Sequence, residues 1–350
     1  MHYNRLNHDS LPKVYILLLN WNGWQDTLEC LESIFRLHYP HYRVIVCDNG
    51  STDDSLWHIQ QWAKGQLSVW RPTHNALRSY SYPPIDKPIT YCEYTRAEVE
   101  SALSADEDDA KLIFIQTGEN RGFAAGNNIG LRYALAKGDF DYIWLLNSDT
   151  VVAPDALLHL VEHALQDTTI GLCGSTLLYY HNPTLIQTLG GGHYNKWFAL
   201  TSHLAENQPI EQFACEHRQQ CSASMDYVMG ASMLVSKAFL ETVGLMSEEY
   251  FLYFEELDWA MRAHGRFKLG YAEKSVVYHK SGQSVGNTPR KWSALSVFYS
   301  TCSRIKFVRK FYPQFLPLLY LRLTLSFFHQ CLKGQRAQAQ AIWDAMRQHP

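Results

Sequence analysis

The sequence predicts an α/β fold: a doubly wound, mostly parallel central sheet followed by a helical extension at the C-terminal end. Three observations predict it. Through the first half, short apolar runs rich in branched and aromatic residues alternate with segments of helical spacing, which implies parallel pairing through helical crossovers. Three of those runs end in polar clusters, as strands do when their C-terminal edge lines a ligand crevice. The length of 350 residues and the 46% hydrophobic content suit one large domain with extensions, or two small ones.

The elements follow in order. Val14 to Leu19 is an apolar strand ending in Asn20-Trp21-Asn22-Gly23. Asp26 to Leu37 has helical spacing, with Leu28, Leu31, Ile34 and Phe35 on one face. Arg43 to Cys47 is a second strand, ending in Asp48-Asn49-Gly50-Ser51, and a helix runs from Ser55 to Lys64. Residues 71–111 break the rhythm. Their prolines (Pro72, Pro83, Pro84, Pro88) and the run Asp106-Glu107-Asp108-Asp109 mark a surface excursion, whose block of charge reads as a solvated loop rather than a metal site.

Leu112 to Gln116 is the third strand, Gly126 to Ala136 its helix, and Tyr142 to Leu146 the fourth strand, ending in Asn147-Ser148-Asp149. A helix (Pro154–Gln166), a short strand (Ile170–Ser175) and a Gly-rich polar segment (190–224) come next, the last reading as a mobile loop over a site. Val228 to Val235 reads as a strand, Lys237 to Val243 as a helix ended by Gly244, and residues 276–279 as a strand ending at His279.

Charge is segregated. Residues 287–350 carry ten Lys/Arg and one Asp, a net of +9, and the preceding 286 residues carry a net of −12. A basic tail on an acidic body points to an anionic partner surface, phospholipid or nucleic acid. Residues 311–332 are apolar but hold Pro313, Pro317 and Arg322, which is poor for a membrane span. Two readings stand: a helix lying on a membrane surface, or a helix packed on the domain. The eight cysteines form no Cys-x-x-Cys pair and several lie inside apolar runs, so reduced, buried thiols are expected. The polar stretch from Met1 to Lys13 has no apolar core, and no secretory signal is expected.

Chemistry concentrates at the strand ends. A carboxylate at Asp149 is placed to hold a divalent cation against a phosphate, or to cap the following helix. Neither a Gly-x-Gly-x-x-Gly run after the first strand nor a Gly-x-x-x-x-Gly-Lys-Ser/Thr run is present, so hydride transfer and P-loop hydrolysis lose ground. In Glu119–Asn128, the glycines allow a close backbone approach to a ligand, and the helix start favours an anion; a tight turn with a capped helix is the alternative. Glu255, Glu256 and Asp258 crowd three carboxylates among aromatic rings, which raises one another's pKa toward that of a neutral-pH base. An acidic helix N-terminus accounts for the same residues equally well.

Taken together, Asn20-Trp21-Asn22, Asp48-Asn49-Gly50-Ser51, the Asn120–Asn128 run, Leu145–Asp149, Gly230-Ala231 and Phe251–Arg262 resemble family 2 glycosyltransferases, specifically single-addition, rhamnosyltransferase-like members. The resemblance runs from about Val14 to Ser281 outside the excursion. It implies a nucleotide-diphospho-sugar transferase (GT-A, Rossmann-like) fold over residues 1–286, with 287–350 as a helical extension. It implies inverting transfer of a single sugar from dTDP-rhamnose or a UDP-sugar to a glycan or lipid-linked acceptor in surface polysaccharide assembly.

By that resemblance Asp48 contacts the nucleotide, with Asn20, Asn22, Asn120, Gly122, Asn127, Asn128 and Asn147 also on the donor. Asp149 and His279 hold Mg2+ or Mn2+. Gly230, Ala231 and Trp259 line the sugar and acceptor pocket, and Glu256 is the base. The basic, apolar C-terminus further motivates the expectation of a location at the inner face of the plasma membrane with peripheral contact to anionic lipid, and no nucleic-acid partner is expected.

The sequence departs from the family pattern twice. Asn147 stands where a carboxylate is often found. Glu256 stands where Asp is usual, and its extra methylene changes reach by about 1.5 Å, so Glu255 or Asp258 also qualifies as the base. These departures motivate an alternative, a catalytically silent sugar-nucleotide-binding scaffold. A nucleotidyltransferase is disfavoured because Leu19 is not followed by a glycine-rich run. The Gln-x-x-Arg-Trp run of processive synthases is also absent.

Overall fold

The structure is a computed structural model that describes residues 11–69, 74–101, 110–213, 225–281 and 292–348. Thirteen strands are present among the described residues: β1 Val14–Asn20, β2 Tyr42–Asp48, β3 Tyr91–Thr95, β4 Leu112–Gln116, β5 Tyr142–Asn147, β6 Thr150–Val152, β7 Ile170–Tyr179, β8 Asn182–Leu189, β9 Gly191–Asn195, β10 Leu200–His203, β11 Tyr227–Val228, β12 Ser232–Ser236 and β13 Lys268–His279.

The main sheet runs β3-β4-β2-β1-β5-β12-β7-β13-β6, with β8 paired to β7. Its first five strands are parallel, as the alternation of strand and helix predicts. β12 is antiparallel to both β5 and β7. Successive residues of β1 face opposite ways. Tyr15 and Leu17 enter a core beneath the helix Phe123–Lys137, while Val14, Ile16 and Leu18 enter a second core with the helices Trp24–Ile34, Ser55–Ala63 and Ala156–Gln166. Burial on both faces explains why these strands read as unbroken apolar runs.

The described part of the excursion is more than a surface loop. It supplies β3, the edge strand, in register with β4 from Tyr91↔Leu112. Buried carboxylates of the helix Trp24–Ile34 tie it down. Glu32 accepts from Lys87 Nζ at 2.7 Å, the Ile85 amide at 2.9 Å and Trp62 Nε1 at 2.8 Å. Pro72 and the acidic run at 106–109 lie outside the described residues.

The Gly-rich segment also differs from a loop. Residues 191–203 form an antiparallel hairpin, β9 with β10, and β11 pairs β9 to complete a small second sheet. Residues 214–224 of that segment lie outside the described residues. The strand expected from Val228 to Val235 is split into β11 and β12 by a turn at Gly230. The last expected strand is the end of the 12-residue β13. Cys30, Cys47, Cys92, Cys173, Cys302 and Cys331 are free thiols, all but Cys331 at least partly buried.

Three helices end the described chain: Ala294–Phe311, Leu316–Leu332 and Arg336–Gln348. The first packs on the segment that precedes Glu255. Ser303 Oγ donates to the Leu252 carbonyl at 2.8 Å, and Tyr299 stacks on Phe251 with ring centroids 4.2 Å apart. The second buries Leu319 and Leu323 but leaves most of its apolar surface open. A stretch spanning Pro313–Leu332 is long and apolar enough to cross a membrane by length and composition.

Candidate active site

Parallel register brings the polar strand ends to one edge. Asn20 stands opposite Asp48, and Leu19 opposite Asn147. Asp48 and Asn147 are therefore two strand spacings apart, roughly 10 Å. Asn20 is buried and serves as a brace. Its amide donates to Asp48 Oδ1 at 2.8 Å and to Ser51 Oγ at 3.1 Å, and its oxygen accepts from Thr27 Oγ1 at 2.8 Å. The Ser51 amide donates to Asp48 Oδ2 at 3.1 Å, which fixes the carboxylate at the rim. Asn22 is exposed, in the left-handed region at φ 50°, and accepts from the Thr52 amide at 2.7 Å.

Asp149 does not cap a helix. β6 follows it directly, and the next helix begins at Ala156. Its Oδ1 lies 3.1 Å from His279 Nε2, at the end of β13. Pairing of β13 with β6, His279↔Thr150, creates this contact across 130 residues of chain. Asn147 Nδ2 is 3.3 Å from the same His279 nitrogen. The other ring nitrogen, Nδ1, faces buried Gln187 Oε1 at 2.9 Å. An acceptor at Nδ1 places the ring proton there and leaves the Nε2 lone pair toward Asp149 and Asn147. Burial raises the Asp149 carboxyl, but His279, when its Nε2 carries a proton, and Lys280 outweigh it and hold the pKa below the ordinary value.

These residues fit a divalent ion. A lone pair and a carboxylate oxygen 3.1 Å apart match neighbouring ligands of an ion bound at about 2.1 Å. Among the described residues no group of three or more His, Cys, Asp or Glu could hold a metal. The protein would therefore supply two ligands and leave the remaining positions to phosphate and water, a pattern common for Mg2+.

The three clustered carboxylates have three different surroundings. Asp258 is buried and saturated, accepting from Arg262 Nε at 2.7 Å, Lys310 Nζ at 2.7 Å and Tyr250 OH at 3.0 Å. It is a structural hub, and its donors leave it no room to act as the base. Glu255 is buried, and its Oε2 has no hydrogen-bond partner among the described residues. Burial and then the Glu256 charge push its pKa well above the ordinary carboxylate value. Glu256 is only half-buried and accepts from the Gly230 backbone; burial raises its pKa as well. A Cβ at Gly230 would sit 2.2 Å from Glu256 Oε1, so only glycine lets this carboxylate lie against the turn. Tyr253 and Phe254, just before the helix Glu255–Ala263, both have positive φ (69° and 72°), which turns the chain sharply into Glu255.

Several other expected site residues serve the scaffold. Asn128 spans to Met246, donating to its carbonyl at 2.9 Å and accepting from its amide at 3.2 Å. Asn127 donates to the Phe123 carbonyl at 2.9 Å. Asn120 Oδ1 accepts from Asn49 Nδ2 and from the Gly122 amide, both at 3.0 Å. Gly122 (φ 98°) approaches backbone rather than a ligand, since a Cβ there would meet the Phe251 carbonyl at 2.2 Å. Ala231 is buried, with its carbonyl accepting from the Asn147 amide at 3.1 Å. Trp259 is in the core, where Nε1 donates to the Gly244 carbonyl at 2.8 Å, so its ring does not line an acceptor pocket. Sequence reasoning missed Gln187, whose contact with His279 joins residues 92 apart and leaves no local signal. It also missed Lys280, which pairs with Asp26 at 2.5 Å and Glu29 at 2.6 Å just behind the Asp149 site.

Comparison with known proteins agrees with this geometry. The sequence matches the family model described as glycosyl transferase family 2 over residues 15–78 and 93–235. The low-salt glycan biosynthesis hexosyltransferase Agl10 of Haloferax volcanii is 24% identical over 178 residues, covering 51% of this chain and 54% of that protein. The poly-beta-1,6-N-acetyl-D-glucosamine synthase of Staphylococcus aureus is 18% identical over 282 residues, covering 80% of this chain and 53% of the relative. The chain thus spans about half the length of the curated relatives it matches.

Among solved structures, the mannosyltransferase PcManGT from Pyrobaculum calidifontis, in complex with GDP-Man and Mn2+, aligns with a TM-score of 0.51 at 14% identity over 98% of this chain and 88% of that one. GalNAc-T7 with UDP, GalNAc and Mn2+ aligns with a TM-score of 0.57 at 14% identity over 91% of this chain and 51% of that one. At that identity the likeness speaks for the fold, which is of the GT-A type.

Proposed function

This chain belongs to glycosyl transferase family 2, and from that premise we propose that it transfers a single sugar, with inversion, from a nucleotide-diphosphate sugar to a hydroxyl of a lipid-linked glycan acceptor. The observation that carries the reading is the rim of the parallel sheet. There Asp48 stands two strand spacings, about 10 Å, from Asn147, whose side chain touches His279 of the Asp149–His279 pair, a layout suited to a nucleoside at one end and a diphosphate at the other. dTDP-rhamnose and UDP-sugars are the candidate donors. The presence of Mn2+ in both related solved structures supports a divalent cofactor, Mg2+ or Mn2+, held by Asp149 and His279. Bound there, the ion offsets the charge of the departing diphosphate.

Glu256 is the proposed base. It is the one carboxylate of the three that is both accessible and free of a cationic partner among the described residues. Its raised pKa makes it a stronger proton acceptor for the attacking hydroxyl. Burial and then the Glu256 charge push the pKa of the neighbour Glu255 upward, which disfavours a second negative charge in the same space. Asn147 donates toward His279 and adds no charge, so the site carries one anionic ligand. The exposed apolar face of the helix Leu316–Leu332 supports contact with an anionic membrane that would hold a lipid-linked acceptor.

The test is a pair of variants. Asp149→Ala and Glu256→Gln are each expected to lower sugar transfer by at least 100-fold, with the fold, read by circular dichroism, unchanged. Asp149→Ala should also lose Mn2+ binding by calorimetry, whereas Glu256→Gln should keep it. Full activity in both variants would refute the assignment.

A further inference from the structure

Two cations close to the segment that leads into the proposed catalytic helix have no carboxylate partner among the described residues. Arg304, on the helix Ala294–Phe311, has an Nε shielded from water with no hydrogen-bond partner among the described residues. Arg322, on the next helix, donates to the Phe198 carbonyl. Among the described residues neither guanidinium forms an ion pair with a carboxylate. Burial, and then the charge of Arg322, push the Arg304 pKa down to about 10; burial lowers Arg322 as well. The Tyr194 hydroxyl lies within electrostatic reach of both, and it too is shielded and unpartnered among the described residues. Like charges held together at partly buried positions without a counter-charge among the described residues are costly, and a bound anion relieves both.

The surroundings define the ligand. On one side is the reaction centre: the Arg304 guanidinium is 6.0 Å from the ring of Phe254, which immediately precedes Glu255, and Tyr194 packs edge-on against the same ring at 6.3 Å. On the other side is apolar surface. Arg322 shares its helix with Leu321, Leu325 and Phe328, which are exposed, and the Trp197 ring lies 4.7 Å from Phe315 where that helix begins. Two guanidinium forks and a phenol hydroxyl suit the oxygens of a diphosphate. The adjoining face suits a hydrocarbon chain.

We propose that Arg304, Arg322 and Tyr194 bind the diphosphate of the lipid-linked acceptor, with its apolar chain laid along the exposed face of the helix Leu316–Leu332. The site rests on the lipid-linked acceptor reading above and names the part of the chain that would recognise it.

Titration calorimetry on the full chain tests it, with farnesyl diphosphate as probe and farnesol and inorganic pyrophosphate as controls. Farnesyl diphosphate is expected to bind at least ten times more tightly than either control. Arg322→Gln, at a half-buried position that tolerates the change, is expected to weaken that binding tenfold or more while leaving Mn2+ binding and association with phosphatidylglycerol vesicles within twofold. Equal binding of farnesol, equal binding of pyrophosphate, or full retention in Arg322→Gln would overturn the site. A parallel loss of vesicle binding in Arg322→Gln would assign the arginines to bulk headgroups and overturn it as well. Hydrolysis of nucleotide sugars by the same preparation separates the two readings. A chain that hydrolyses donor but does not bind farnesyl diphosphate refutes this site alone. One that binds farnesyl diphosphate but neither hydrolyses nor transfers any donor sugar refutes the transferase reading alone.

Discussion

At Glu255 a carboxyl is buried beside a second carboxyl with one oxygen unpartnered among the described residues, and burial, then the Glu256 charge, push its pKa well above the ordinary carboxylate value. Its folded pKa lies above the ordinary value of 4.5, so the folded state binds that proton more strongly than the unfolded chain does. The associated stability is fully present below the unfolded pKa and is lost as pH rises through the folded one. Glu255→Gln keeps the shape and removes the ionisation. It is expected to leave the melting temperature nearly unchanged at pH 4 and to raise it at pH 8, by about 1–2 °C for each kcal/mol recovered in a chain of this length. Calorimetry at the two pH values checks this, and an equal shift at both would show that Glu255 does not titrate. The sequence makes the crowding of Glu255, Glu256 and Asp258 plain. It does not reveal the division of roles, because Lys310, which helps neutralise Asp258, lies 52 residues away.

Among the elements, the strand ends carry the donor side of the site, and two supports hold it. The first is the helix Ala294–Phe311, clamped on residues 251–253 by Tyr299, Ser303 and a 3.2 Å hydrogen bond from Tyr253 OH to Ser296 Oγ. It opposes the backbone strain of two consecutive positive φ values, on the order of 1–3 kcal/mol each. The second is the β7–β8 pair, which brings Gln187 against His279. If Gln187 sets the ring tautomer, Gln187→Leu is expected to weaken Mn2+ binding by about 10–100-fold, and Gln187→Glu, which keeps an acceptor, to restore most of it. Calorimetric titration with Mn2+ reads the affinity, and unaltered binding in Gln187→Leu would remove Gln187 from the site. Strands β1, β2, β4 and β5 were legible because burial on both faces leaves unbroken apolar runs. β3 and the β9–β10 hairpin were not. β3 alternates half-buried and exposed residues at a sheet edge, and the hairpin's glycines and polar residues mimic a loop.

For the whole molecule, the +9 charge of residues 287–350 suggests electrostatic attachment to an anionic membrane, but the fold uses part of that charge internally. Lys306 donates to the Glu249 carbonyl, Lys310 to Asp258 and Arg322 to the Phe198 carbonyl. Lys333, Arg336 and Arg347 stay exposed, and beside them runs an apolar stripe: Leu321 is 58% exposed, Leu325 62%, Phe328 58% and Leu332 88%. These recur at helical spacing on one stripe, while Leu319 and Leu323 on the opposite side are buried against Ile305 and Val308. One face of this helix thus packs on the domain, and the other is the exposed apolar face that the proposed membrane attachment would use. Full burial of each large apolar side chain contributes about 1.5–3 kcal/mol, more than an exposed charge adds at physiological ionic strength. Attachment is therefore expected to be carried mainly by the stripe. A triple variant, Leu321→Gln, Leu325→Gln and Phe328→Gln, should lose at least 100-fold in affinity for phosphatidylglycerol vesicles in sedimentation assays and keep its thermal stability, because the buried face is untouched. Raising the salt from 0.1 M to 0.5 M should weaken wild-type binding far less, since screening acts on the charges alone. Vesicle binding that survives the triple substitution, or that salt abolishes in the wild type, would place the attachment on the basic residues instead.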